Sequence, residues 1–347
     1  MKYPYTCALF FSIFSLLNAQ YTDQINSNRP GASIGAFAVG KNVIQAEAGV
    51  AFRHYTHSGY NNSTFTGGVG FLSMRWGFFM ETLELTYEGQ YLFGNLISKL
   101  ATTPINYKRN GFLQNFLGIK YLVYDPFKKE KKVSVISWKA NNGFKLRELI
   151  PAVSITVGAN TSPKNNPYPY NNIFSVIYRP VFFQNFGAPL EQEPRIHTRA
   201  TLATQSHFLR TWVFVTNSTY DRFLSDYPEF NYIFTLTHTL DPLWSVYIEH
   251  QRIQSDLFKD QLFRMGAAYL YSNNMQIEAS IGTSIKNTPH QLLANLGVSY
   301  RLDFHKDFLS AQEVEEKSLK KEERQLKKTF KKNSKGERKR NRKAKRN

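Results

Sequence analysis

Apolar and polar residues alternate along most of this chain, from residue 42 to residue 304. In 43–53, Ile44, Ala46, Ala48, Val50 and Phe52 share one side of an extended backbone, against Gln45, Glu47 and Arg53. In 82–93, Leu83, Leu85, Tyr87, Tyr91 and Phe93 oppose Glu84, Thr86, Glu88 and Gln90. The same beat runs through 70–79, 230–240, 275–283 and 292–304. A period of two marks β-strands with one apolar face.

Alternation alone also fits a soluble sandwich. The runs, however, reach about 9–13 residues, beyond the about 5–6 of average strands and suited to tilted membrane strands. Aromatic residues sit near many run ends, among them Tyr91, Phe93, Tyr124, Trp244, Tyr269, Tyr271, Tyr300 and Phe304. Connections also alternate. Segments 54–66, 94–110, 160–194, 218–228, 252–260 and 284–290 read as external; 79–81, 125–148, 204–208, 241–243 and 271–274 read as inner turns. This predicts an all-β chain: a transmembrane antiparallel β-barrel of about twelve strands, at 42–53, 67–78, 82–93, 111–124, 149–159, 195–204, 208–217, 229–240, 244–251, 261–271, 275–283 and 291–304. Two segments leave fourteen strands open. Residues 125–148 are long for an inner turn and fit a short helix or a hairpin. Residues 173–183, "IFSVIYRPVFF", are strand-like and are placed in the large external loop, folded over the barrel mouth.

Composition agrees with a barrel. The chain has 28 Phe and 20 Tyr, and a negative mean hydropathy of −0.41 argues against a bundle of membrane helices. Lys2, the apolar run Ala8–Leu17 and Ala19 read as a signal peptide, residues 1–19, cut to leave Gln20. Residues 20–41 then form a periplasmic lead-in to the barrel of 42–304. Cys7 is the one cysteine, so the mature chain has no disulfide and needs another source of stability; a closed barrel, with its backbone groups paired between strands, supplies it.

Candidate chemistry is sparse. "GASIG" at 31–35 matches a nucleophile-elbow pattern around Ser33, but no helical pattern follows it, and its glycines suit a flexible lead-in or plug. Ser206 and His207 are neighbours on an extended backbone, so their side chains point apart. The eight histidines show no metal-ligand spacing, and no cofactor motif occurs. The polar faces say more. Glu47, Arg75, Glu84, Glu88, Lys120, Arg199, Glu249, Arg264, Glu278 and Arg301 all lie opposite the apolar stripe, on the side that faces a barrel's interior. Two readings stand. The charges pair with one another and fill the interior, or they line a polar path that attracts small solutes.

Several stretches carry a resemblance: "NRPG" at 28–31, "VIQAEAGVAF" at 43–52, "LGIKYLVYD" at 117–125, "AAYLYSNNMQIEASIG" at 267–282 and "NLGVSYRL" at 295–302. In this order they resemble the outer-membrane family named after the meta-pathway of phenol degradation. The family usually has Asp where Glu278 stands and usually stops near Phe304. The resemblance implies an outer-membrane channel, of Gram-negative type and without enzymatic activity, whose solutes are poorly defined. A barrel serving as a scaffold for other envelope proteins is the alternative.

The tail, 305–347, lies beyond the last strand. Residues 311–347 hold 16 Lys/Arg against 6 Asp/Glu, a net of +10, and leave +8 of the total +18 to the other 310 residues. Its first part is rich in helix formers; after Asn333 it is a like-charge block expected to be disordered. An even-stranded barrel delivers this tail to the periplasm. There Lys327, Lys328, Lys331, Lys332, Arg338, Lys339, Arg340, Arg342 and Lys343 suit an anionic surface, either outer-membrane lipid or a periplasmic protein partner. Nucleic acid is not an expected partner of an exported chain. A solvated tail with no partner is the competing reading.

Overall fold

The computed structural model describes residues 24–28, 31–128, 146–163, 166–177, 193–223 and 225–305. The chain divides into two units, Met1–Phe304 and His305–Asn347. The expected signal peptide, 1–19, and the basic residues Lys327–Lys343 lie outside the described residues.

The described part of the first unit is a closed barrel of twelve strands, each hydrogen-bonded to its sequence neighbours. They are β1 (Val43–His57), β2 (Ser63–Gly77), β3 (Leu83–Ser98), β4 (Ile105–Tyr124), β5 (Ala152–Thr161), β6 (Ile196–Phe208), β7 (Trp212–Asp221), β8 (Glu229–Thr239), β9 (Trp244–Ser255), β10 (Lys259–Ser272), β11 (Met275–Ser284) and β12 (His290–Asp303). Closure is direct. β1 pairs antiparallel with β12 from Val43↔Asp303 to Thr56↔His290, so the wall begins and ends at one rim, here called the terminal rim. The alternation of the sequence becomes the two faces of this wall. Val50, Phe52, Leu117, Ile119, Ile248, Met265, Leu296 and Val298 stand exposed on the outside. Their register partners alternate with buried Gln45, Glu47, Glu249 and Arg301 inside. Lipid covering that outer face would stabilise each large side chain by about 1.5–3 kcal/mol. At the terminal rim, Trp244 and Tyr269 pack with ring centroids 4.9 Å apart, and Trp76 and Phe78 at 5.5 Å, as in an interfacial aromatic belt.

The wall departs from the expected boundaries at the opposite rim. β1 runs on to His57 and β2 starts at Ser63, where 54–66 was expected to be loop; β3 and β4 likewise extend into 94–110. The cause is a change of phase. Here the buried inner face is apolar, with Tyr55, Phe65, Val69, Leu92 and Leu96, while Thr66 and Asn95 are exposed outside. Above the bilayer the outside is wet, so the apolar stripe turns inward. The β6–β7 turn also shifts, to 209–211, because Gln205–Phe208 remain paired with β7. Of the two ambiguous segments, 126–128 and 146–149 form single 3₁₀ turns, while 129–145 lie outside the described residues. The described part of 173–183 does not pair into the wall. Ile173, Phe174 and Ile177 instead pack inside the barrel against Tyr55, Phe65, Val69, Leu92, Leu96 and Tyr168.

Some strand contacts need glycine. A Cβ on Gly67 would clash with the Phe93 carbonyl oxygen and sit 2.7 Å from Phe65 Cζ, whereas one on Gly70 meets nothing within 4 Å. Gly67→Val is therefore expected to destabilise the barrel by about 1–3 kcal/mol, and Gly70→Val to leave it within about 0.5 kcal/mol. Urea titration followed by heat-modifiable gel mobility separates the two; equal midpoints would contradict this packing.

Candidate functional site within the barrel

The interior is organised by residues 24–28 and 31–41, which have no regular structure of their own. Unpaired backbone groups in a closed interior are costly, and the wall supplies their partners strand by strand. Ile25 N donates to the Asn273 carbonyl in the β10–β11 turn, 2.8 Å. The Asn26 carbonyl accepts from Gln45 Nε2 and Arg75 Nη2 on β1 and β2. Asn28 N donates to Glu47 Oε1. Across the lumen, Ala32 N and Ser33 N donate to the Glu249 carboxylate on β9, at 3.0 and 3.2 Å to Oε2. Ile34 N donates to Asn217 Oδ1 and its carbonyl accepts from Asn217 Nδ2 on β7. Ala36 N donates to Gln205 Oε1 on β6. The Phe37 carbonyl accepts from Lys120 Nζ on β4, and Val39 N donates to Glu84 Oε2 on β3. The segment thus travels around the inside of the wall and returns to β1.

Glu249 is the most heavily used partner. Beyond the two backbone N–H groups it accepts from Thr235 Oγ1 at 2.9 Å and from Arg264 Nη1 at 2.6 Å. Charge-assisted bonds of this kind offset the cost of burying a carboxylate. A Cβ on Gly31 would fall 2.6 Å from Glu249 Oε2, so glycine there permits the approach. "GASIG" is accounted for in this way: Ser33 is buried with its N–H on Glu249, no helix follows, and no elbow forms. Ser206 and His207 also separate as expected. Ser206 Oγ donates to the Leu149 carbonyl, while the His207 ring packs edge-on against Phe37 and Phe127.

The ten charged residues singled out in the sequence sort into groups. Lys120 lies 3.0 Å from Glu84, with Arg75 3.9 Å from the same oxygen, and all three are buried beneath the N-terminal segment. Glu88 takes Arg199 Nη2 at 2.7 Å and Gln114 Nε2 at 2.7 Å; the Arg199 guanidinium lies 3.5 Å above the Phe116 ring. Glu278 is buried and accepts from Ser299 Oγ, and Arg301 is buried and pairs with Asp303 at 2.9 Å. Of the ten, Glu47, Glu88, Arg199 and Arg264 border the cavity described below. Arg75, Glu84, Lys120, Glu249, Glu278 and Arg301 are buried away from it, and the first four bond the N-terminal segment.

A cavity of about 960 Å³ remains above the segment. Asn28 and Gly31–Ile34 border it, and Glu47, Glu88, Arg199 and Arg264 stand in its wall. Toward the opposite rim it reaches His57, Phe174, Leu257 and Lys286. One side of this mouth is held by Arg109, which donates to the Pro167 carbonyl at 2.7 Å and lies 4.5 Å from the centre of the buried Tyr168 ring. Burial pushes the Tyr168 hydroxyl up to about 12, so it stays a neutral phenol. Glu193 ties the same connection down, accepting from Tyr170 N and Arg222 Nε. Gln45, Asn217 and Gln205 were absent from the sequence-based set, although the phase of alternation places each on the inner face. Arg109 and Tyr168 carried no such signal, since an apolar inner face beside a folded-in loop inverts the rule. Among the described residues no cluster of His, Cys, Asp and Glu is arranged for a metal.

Several solved structures have similar chain paths. The COG4313 outer membrane channel from Pseudomonas putida F1 has 14% identity and a TM-score of 0.47, over 80% of this chain and 100% of that one. The KdgM porin has 12% identity and a TM-score of 0.39, over 74% and 99%. The translocator domain of autotransporter NalP from Neisseria meningitidis has 8% identity and a TM-score of 0.42, over 79% and 90%. No curated protein matches the chain. The family model described as "Putative MetA-pathway of phenol degradation" matches residues 27–302, from the N-terminal segment to the closing strand, and the chain belongs to that family.

Proposed function

We propose that this protein is an outer-membrane channel for small solutes, closed on its periplasmic side by its own residues 24–28 and 31–41. One observation carries the reading: a cavity of about 960 Å³ inside a closed barrel ends on a segment that belongs to no strand. That segment is held by wall side chains, not by ladder pairing. Side-chain latches can release singly, while the wall stays intact. The signal peptide 1–19 directs export, both chain ends face the periplasm, and the opposite rim faces outward, following the usual arrangement of such barrels. Solutes pass by diffusion, and no bond chemistry is involved.

The tail completes the proposal. Its basic residues, from Lys327 to Lys343, contact the anionic periplasmic surface of the membrane, each contributing about 1 kcal/mol when close to it.

Removing residues 20–40 from the mature chain is expected to raise single-channel conductance in planar bilayers, because the segment occupies the lumen. Unchanged conductance would show that the segment is not the barrier, and silence from both forms would favour a scaffold. Glu249→Gln removes a charged acceptor from Ala32 N, Ser33 N and Arg264, worth about 1.5–3 kcal/mol. Its openings should become about ten-fold or more as frequent, read in the same recordings.

Deleting 306–347 should weaken co-flotation of the purified barrel with anionic vesicles at low salt and leave its fold unchanged. Equal flotation with and without the tail at 50 mM salt, a condition with a Debye length somewhat above about 10 Å, would remove the lipid role.

A further inference from the structure

We propose that the outer part of the cavity is a binding site for small amphipathic monoanions, a carboxylate on a compact apolar body, with Arg53 as the carboxylate's partner. The inference names a solute class for the channel proposed above and rests on that reading of the cavity as the solute path.

Most interior cations are already engaged: Arg199 with Glu88, Arg264 with Glu249 and Arg222 with Glu193. Arg53 differs. Its one hydrogen bond among the described residues is from Nη1 to the Tyr55 hydroxyl at 3.3 Å, and its Nε is buried with no partner. It faces the cavity. A guanidinium left without an acid in a confined site is a ready donor to a planar carboxylate. Lys286, at the same mouth, donates to the Lys259 carbonyl at 2.8 Å and lies 4.2 Å from the Phe258 ring centre; it too forms no ion pair among the described residues and adds positive potential.

The surroundings define the rest of the ligand. Leu293 is the direct cross-strand partner of Arg53. Leu262 on β10 and Ile253 on β9 border the same cavity as Leu293. Phe174, from the folded-in connection, borders the same space. A bare inorganic anion would leave Leu293, Leu262, Ile253 and Phe174 wet, and an uncharged apolar solute would leave Arg53 unanswered. A ligand with both parts satisfies both.

The test uses the full mature protein in nanodiscs and 4-fluorobenzoate, with binding read by fluorine NMR line broadening against empty nanodiscs. 4-Fluorobenzamide and 4-fluorobenzylammonium serve as neutral and cationic counterparts. The benzoate should bind at least about ten-fold more tightly than either, and Arg53→Gln should abolish that preference, while Arg53→Lys retains part of it. Leu293→Asn should weaken 4-fluorobenzoate and leave competition by acetate unchanged. Equal affinity for benzoate and benzamide in the unmodified protein overturns the proposal, whatever the variants do. Preferential binding without bilayer conductance would sink the conduit and keep the site; conductance without preference would do the reverse.

Discussion

Closure of β12 onto β1 is the constraint from which the rest of this molecule follows. It removes both sheet edges, so backbone groups of the wall are paired within the wall. It also forces alternate side chains into two separate worlds. Ile248 and Leu296 go outward, to a surface only an apolar medium covers well, while Glu249, Glu47 and Arg301 go inward. A charged residue enclosed in this way must find a counter-charge, a hydrogen-bonding partner or water.

The interior meets that demand in two ways. One is local pairing, as in Lys120 with Glu84 and Arg199 with Glu88. The other is the N-terminal segment, whose backbone donors and acceptors are matched to side chains on seven different strands. The match is mutual. Glu249 would be a costly buried carboxylate without Ala32 N, Ser33 N, Thr235 and Arg264, and the segment would be a costly irregular backbone without Glu249, Asn217 and Gln205. The wall charges that read as lumen chemistry in one dimension thus serve largely as anchors in three. Free volume remains above the segment, and among the described residues Arg53 stands there without an acid.

The opposite rim obeys the same rule with the environments exchanged. Above the bilayer the outer surface meets water, and Tyr55, Phe65, Leu92 and Leu96 turn inward to a packed cluster completed by Tyr168, Phe174 and Ile177. This explains why β1 to β4 are longer than the alternation suggested. The apolar stripe does not stop at 53 or 93; it changes faces.

The sequence by itself determined the class, the closed wall and the existence of each strand, because a period of two over runs of membrane length has few physical solutions. It also determined which side of the wall each of Glu47, Arg75, Glu84 and Lys120 occupies, since register follows from parity. Tertiary structure alone decided what meets them there. No pattern within residues 24–41 indicates that Ala32 N and Ser33 N reach across to Glu249, because that contact joins residues 217 and 216 positions apart, chosen by the barrel's diameter and not by local preference. The inward turn of the apolar stripe was likewise beyond a one-dimensional reading. A side chain's preferred face depends on whether lipid or water lies outside it, and that is set by height along the barrel, a coordinate that exists only once the strands have been assembled.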